Sequence, residues 1–274
     1  MTLRNNLSEE LNRQGNEHFS RGYYTEAYTC YAKALEYDRL TGDQRTLVAT
    51  LGNLGNICAV SGRRDSAQAH YQEVLELQKL LGDEKGIGTT LANLGNLRAD
   101  AGEWDRAQAY YLEALDLMTK THDEPSQAVL FSDLGLVARE TGHFEEAIRF
   151  YERSLELMRR LSNLGGVADA WRMIGRTFLM QKRYDEAIAC CQTSQSVAER
   201  LQDELRAGGA RYVLAQCYEE TGRLQDAAEL LEQVVRMDRK YRLPKLEENT
   251  QRLKTLRARL TNPHQLRPCR EMEA

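Results

Sequence analysis

Six small residues stand at one fixed interval of 40: Gly15, Gly55, Gly95, Gly135, Gly175 and Ala215. A period of that length calls for a stack of like supersecondary units, each burying its apolar face on its neighbours, in place of one globular core. Such a chain presents a surface, and the period leaves open what binds there.

Further columns repeat in phase. Twelve residues after each small residue comes an alanine: Ala27, Ala67, Ala107, Ala147, Ala187 and Ala227. Seven residues after it comes Gly22, Gly62, Gly102, Gly142 or Gly222, with Lys182 as the exception, at the place where a helix is stopped. Sixteen residues after it stands Tyr31, Tyr71, Tyr111 or Tyr151, then Cys191 and Leu231. Each repeat therefore reads as an apolar-periodic helix, a tight turn and a second helix. The small residues allow the helices to approach closely, and the tyrosine fills the space between hairpins.

These columns carry a family resemblance. The block LANLGNLRADAGEWDRAQAYYLEALDL, residues 91–117, resembles the tetratricopeptide repeat, here lengthened by six residues around Leu81-Gly82-Asp83, Thr41-Gly42-Asp43 and Thr121-His122-Asp123. The longer form is similar to that of kinesin light chains, of the Pins family of spindle-orientation adaptors and of bacterial regulators that sense peptides. The resemblance implies an all-α fold, a right-handed α-solenoid of six helix-turn-helix hairpins, with the first helices lining the concave surface. The expected repeats are 8–47, 48–87, 88–127, 128–167, 168–207 and 208–241. A helix at 242–260, opened after Pro244 and striped by Leu246, Leu253, Leu256 and Leu260, is expected to cap the last repeat, and 261–274 to be a flexible tail.

Composition excludes several function classes. A net charge of −4 gives no general attraction to nucleic acid. The start, MTLRNNLSEE, lacks the apolar stretch of a signal peptide, and no run reaches the roughly 20 apolar residues of a spanning helix, so a cytoplasmic protein away from membranes is expected. Six cysteines without paired spacing read as reduced core residues. Gly86-Ile87-Gly88 begins like a dinucleotide loop, but Leu91 replaces the third glycine and no strand precedes it. The five histidines are scattered, and hairpins of constant length leave no inserted loop on which to build a catalytic site. The expectation is a chain that is not an enzyme and carries no cofactor or metal.

Helix geometry divides the first helix of each repeat. At 100° per residue, the small residue and the positions four before, one before and three after it form the packed side; Leu51, Leu54, Gly55 and Cys58 are an example. Positions six, three and two before it, and one, four and five after it, are expected to be open. In repeats one to three these include Asn12, Asn16, Asn53, Asn56, Thr89, Asn93 and Asn96. An amide both donates and accepts, which suits an extended peptide backbone, and in Pins-type repeats such asparagines hold the main chain of the bound segment. Solvated polar residues on an exposed face would look the same. Repeats four to six instead offer Asp133, Leu136, Arg139, Asp169, Arg172, Met173, Arg176, Leu179, Met180, Tyr212, Val213, Gln216, Glu219 and Glu220. Arg172 and Arg176, one turn apart, suit a carboxylate; pairing of the arginines with Asp133 and Asp169 is the alternative.

The expected function is a protein-interaction adaptor or scaffold that binds an extended or partly helical peptide segment of a partner. Asn16, Asn53, Asn56, Asn93 and Asn96 would grip main chain, and Arg139, Arg172 and Arg176 would read acidic groups. A regulatory sensor, tightened by a peptide or metabolite to control an enzyme or transcription factor, is the alternative. A third is a passive subunit that uses its convex side, against which exposed Gln68, Glu73, Glu113 and Arg149 argue.

Overall fold

The computed structural model describes residues 2–261, and among these it contains thirteen helices and no strand. They are α1 Thr2–Ser20, α2 Tyr24–Thr41, α3 Gln44–Val60, α4 Arg64–Leu81, α5 Glu84–Ala99, α6 Trp104–Lys120, α7 Glu124–Glu140, α8 Phe144–Arg160, α9 Leu164–Met180, α10 Tyr184–Arg200, α11 Glu204–Glu220, α12 Leu224–Tyr241 and α13 Leu246–Thr261. The tail expected after Thr261 lies outside the described residues. Two compact units are distinguished, one ending at Val137 and one starting at Ala138.

The turns show why the repeat is 40 residues long. A left-handed residue recurs every 20 positions: Gly22, Gly42, Gly62, Gly82, Gly102, His122, Gly142, Ser162, Lys182, Gln202, Gly222 and Arg242 all have positive φ. Both ends of every hairpin thus stop in the same way. After the second helix of a repeat, the residue next to the left-handed one caps the helix that comes after: Asp43, Asp83, Asp123, Asn163 and Asp203 accept from backbone N–H groups at Arg45, Gly86, Ser126, Gly166 and Arg206, at 3.0, 2.9, 3.2, 2.9 and 2.9 Å. The lengthened connection is therefore a helix stop joined directly to a helix start.

Space around the positive-φ glycines is open, so backbone conformation rather than crowding selects them. A side chain at such a φ costs about 1 kcal/mol. Lys182→Gly and Gln202→Gly are accordingly expected to raise stability by about 0.5–1 kcal/mol each, seen as a higher urea midpoint at unchanged slope. A lower midpoint would contradict the turn assignment.

In the first unit, each hairpin closes on a ring laid over a glycine. A Cβ on Gly15, Gly55 or Gly95 would come within 2.7 Å of Cδ1 of Tyr31, Tyr71 or Tyr111. The alanines at positions 27, 67, 107, 147, 187 and 227 are fully buried. Leu54, Ile57, Cys58, Leu94 and Leu97 join Tyr31 and Tyr71 in one apolar cluster. First helices of neighbouring repeats lie against each other, α1 on α3 and α3 on α5, whereas among the described residues α2, α4 and α6 show no comparable approach to one another, so the first-helix side is the tighter side of this stack.

In the second unit, Cys191 and Leu231 replace the tyrosine. Cys191 Sγ faces Gly175, and α9 lies against α11. Leu253 and Leu256 of α13 are buried in the cluster of Ala215, Leu231 and Val234, and Asn249 Nδ2 donates to buried Asp238 at 2.7 Å. Leu260 stays 37% exposed.

Candidate functional site

The open face of the first helices can be read directly from exposure. Six residues before the small residue, and one and five after it, side chains are the most exposed: Glu9, Ala49, Thr89 and Val129, then Asn16, Asn56, Asn96 and Arg176, then Ser20, Val60, Asp100, Glu140, Met180 and Glu220. Four residues after it they are half-buried or buried, because that position lies only about 90° from the centre of the packed stripe.

On α1, α3 and α5 the three asparagines share one arrangement. Tyr31, Tyr71 and Tyr111 each donate through the phenol to Oδ1 of Asn16, Asn56 and Asn96, at 2.7 Å in each case. Burial raises the tyrosine pKa, to about 12 for Tyr31 and Tyr71, so the phenols stay protonated donors. Each amide is thus turned so that Oδ1 faces the helix pair and Nδ2, with its two N–H groups, faces solvent. Read from the sequence, these amides both donate and accept; in the folded chain the acceptor is already used, and donation is what remains toward a partner.

Asn53 and Asn93 sit on the same helices, half-buried. Asn53 Nδ2 donates to Asn12 Oδ1 at 3.0 Å, and Asn12 Nδ2 donates to Thr50 Oγ1 at 2.7 Å. Thr50 and Ser8 in turn donate to the buried Asp38 carboxylate at 2.5 and 2.6 Å. Asn53 therefore ends a polar chain that ties α1, α2 and α3 together. Asn93 has no hydrogen bond among the described residues and keeps its full capacity. The structure brings all five asparagines to one side of the first unit.

Asp133 occupies the corresponding place on α7. It has no hydrogen bond or ion pair among the described residues, and burial pushes its carboxyl up to about 7. The folded chain then holds a proton there that the unfolded chain, with an ordinary pKa of about 3.9, has released at neutral pH. Stability from this group is present at low pH and is lost as pH rises through 7. Asp133→Asn is expected to be more stable than the parent at pH 8, with the difference closing toward pH 5, in denaturant titrations at both values. An equal effect at both pH values would contradict it.

The arginines are arranged differently from expectation. Arg139, read from the sequence as open, is only 3% exposed: Nε and Nη2 donate to Glu140 Oε1 at 3.2 and 2.8 Å, and Nη1 meets Met173 Sδ at 3.5 Å. Its position four after Gly135 borders the packed stripe, which is the physical reason. Arg172 is half-buried along Gly209 and bonds Asp169 at 3.3 Å; Asp169 also accepts from Arg206 Nε at 3.0 Å. Arg176 is exposed and has no hydrogen bond or ion pair among the described residues. Desolvation and the neighbouring Arg139 guanidinium lower its pKa, though it remains a cation. Pairing with Asp169 thus takes up Arg172, while Arg176 stays unpaired among the described residues.

The sixth repeat is not open in the manner expected. Lys245 and Arg252 lie 5.4 and 5.5 Å from the Tyr212 ring centroid, and Arg252 and Arg259 bond Glu219 at 2.6 and 3.0 Å. Val213, also expected to be open, is buried in a cluster with Leu214 and Cys217 that Leu179 and Tyr212 pack against. What remains is a shallow cleft of about 300 Å³ lined by Leu179, Met180, Gln216 and Glu220.

The hydrogen bond between tyrosine and asparagine has a sign in the sequence that the column-by-column reading passes over. Repeats with both the tyrosine and the asparagine are one to three; where the tyrosine is replaced by Cys191 or Leu231, the asparagine is replaced by Arg176 or Gln216, while repeat four keeps Tyr151 and has Leu136 in the asparagine's place.

The tetratricopeptide repeat profile matches residues 8–80, 86–160 and 166–240. The chain belongs to this family. Solved structures carry the same fold as this tetratricopeptide repeat protein. A signal transduction ATPase with numerous domains from Pyrococcus horikoshii, bearing a tetratricopeptide repeat sensor, aligns with a TM-score of 0.75 at 14% identity over 90% of this chain and 38% of that one. This chain thus spans well under half of that protein. BtubC (BKLC) from P. vanneervenii aligns with a TM-score of 0.63 at 19% identity, over 96% of this chain and 97% of that one. Putative kinesin light chain repeats of Podosopora anserina give 0.59 at 20% identity, over 73% and 97%. No curated protein sequence gives a significant match. Among the described residues, no helix is long and apolar enough to cross a membrane.

Proposed function

We propose that this chain is a non-catalytic adaptor that binds an extended or partly helical segment of another protein along the open faces of its first helices. Membership of the tetratricopeptide repeat family supports the broader role in protein interaction. The observation that carries the finer reading is the repeated amide: Asn16, Asn56 and Asn96 are each fixed by a tyrosine with the N–H groups turned outward.

Three donors at the same place on the first helices of consecutive repeats suit the carbonyl groups of a bound main chain. Asn93 adds an uncommitted amide on the same side, whereas Asn53 contributes by holding Asn12. In the second unit, Arg176 reads an acidic group, with Arg172 beside it steadied by Asp169. Arg139, buried against Glu140 and Met173, is left out of this contact. The partner obtained by affinity purification from native cells is the reagent for the test. Arg176→Gln is expected to weaken its binding about tenfold, most at low salt, as removal of a single charge-assisted contact of about 1.5 kcal/mol would do. An unchanged affinity would remove Arg176 from the site.

A further inference from the structure

We propose that the cleft between α8, α9 and α10 is a second binding site, taking an apolar side chain of a partner segment flanked by lysine or arginine. It goes beyond the adaptor reading, which uses the first helices alone, because second helices form two of its walls.

The cleft encloses about 540 Å³, and its floor is Leu155, Trp171, Ile174, Phe178 and Cys190. Leu155, Ile174 and Cys190 are buried, while Trp171 and Phe178 are half-buried and give the floor two ring surfaces. Its origin can be read in the sequence. Fifteen residues after the small residue stand Cys30, His70, Tyr110, Phe150, Cys190 and Leu230. The fifth repeat has a thiol where the repeats on either side have Phe150 and Leu230, so a bulky side chain is missing from the wall of α10. Four residues before the small residue, Leu51 and Leu91 are buried, whereas Trp171 in the same column is left partly uncovered. Burial pushes the Cys190 thiol up to about 11, so the floor stays uncharged.

Charge at the rim selects the ligand. Glu152 and Glu156 line the cleft one turn apart on α8, both exposed, with no hydrogen bond or ion pair among the described residues. Like charges at that spacing repel, and a ligand cation relieves the repulsion. Arg159 and Arg160 line the cleft as well, but both are engaged: the Arg159 guanidinium lies 5.6 Å from the Trp171 ring centroid and Arg160 has an interaction of its own, while Arg183 lies 4.3 Å from the ring centroid of Phe178, which leaves the two carboxylates as the unpaired charges of the rim. Arg159 on the indole also shows that this ring face accepts a cation. A cavity of this size holds one large side chain with its neighbours.

Trp171 and Trp104 are the two tryptophans, so in a Trp104→Phe background fluorescence reports on the cleft alone. The probes are acetyl-Lys-Phe-Arg-amide, acetyl-Glu-Phe-Asp-amide and phenethylammonium. The basic tripeptide is expected to give a saturable change, at least tenfold tighter than the acidic one and tighter than the amine. Cys190→Leu, which places the Leu230 side chain type in the cleft, is expected to abolish the response, Cys190→Ala to retain it, and Glu152→Gln with Glu156→Gln to bring the two tripeptides within about threefold. Equal binding of both tripeptides, saturation that survives folded Cys190→Leu, tighter binding of the bare amine, or no saturable response would each overturn the proposal. Because the asparagines are untouched, capture of the first-helix partner by Cys190→Leu separates failure here from failure of the adaptor reading.

Discussion

Replacing Tyr111 with alanine is expected to cost the fold about 4 kcal/mol, and replacing it with phenylalanine only about 1 kcal/mol. The ring is 1% exposed and lies in the notch that Gly95 leaves in α5. Removing it leaves a cavity bounded by two helix backbones, which cannot close in because Ala107 and Gly95 already set their distance. Phenylalanine keeps the ring and loses only the hydrogen bond to Asn96. The reciprocal change, Gly95→Val, forces a side chain into space the ring occupies and is expected to cost about 1–3 kcal/mol. Urea denaturation monitored through helicity separates these cases. If phenylalanine proved as costly as alanine, the hydrogen bond rather than the packed ring would be holding the hairpin.

The second large effect is on binding. Asn56→Ala with Asn96→Ala is expected to weaken the partner by about 30-fold, two main-chain hydrogen bonds at about 1 kcal/mol each. Alanine is the better helix former, but the buried phenols of Tyr71 and Tyr111 lose their acceptor, so helicity and the urea midpoint are measured beside binding. Tyr71→Phe with Tyr111→Phe is the sharper control. It leaves both amides in place but removes what orients them, and a loss of a few fold is expected, well short of that for the alanines. Identical losses in the two double variants would mean that orientation is everything. No loss in either would remove the amides from the interface.

The fold was legible because its signals are redundant. Column after column repeats at 40 residues, so the packed stripe of Leu51, Leu54, Gly55 and Cys58 could be derived from helix geometry alone, and all four are buried. Lys182 is the exception at the turn column, yet it takes the same left-handed conformation as the glycines, because packing on both sides of the turn over-determines its backbone. The site was less legible. Arg139 falls on the other side of the division because it lies near the border, where neighbours decide what is covered; Val213 lies about 150° from the centre of the packed stripe, and it is buried by a cluster with Ala187 and Cys191 of α10 that the helix's own period does not reveal. Tyr212 and Glu219 are lost to α13, whose basic residues fold over them; a period within the repeats carries no information about the segment beyond the last one. The orientation of the asparagines depends on a contact 15 residues away in sequence, and the two columns agree only in part, since repeat four keeps Tyr151 but has Leu136 in the asparagine's place.

Photo-crosslinking locates the partner most directly. A benzophenone amino acid is placed either at Thr89, exposed on α5 beside Asn93 and Asn96, or at Glu113, exposed on α6. The partner is expected to crosslink at position 89 and not at 113, and to lose the crosslink when Asn56 and Asn96 are alanine. Crosslinking at 113 with none at 89 would contradict binding on the first helices.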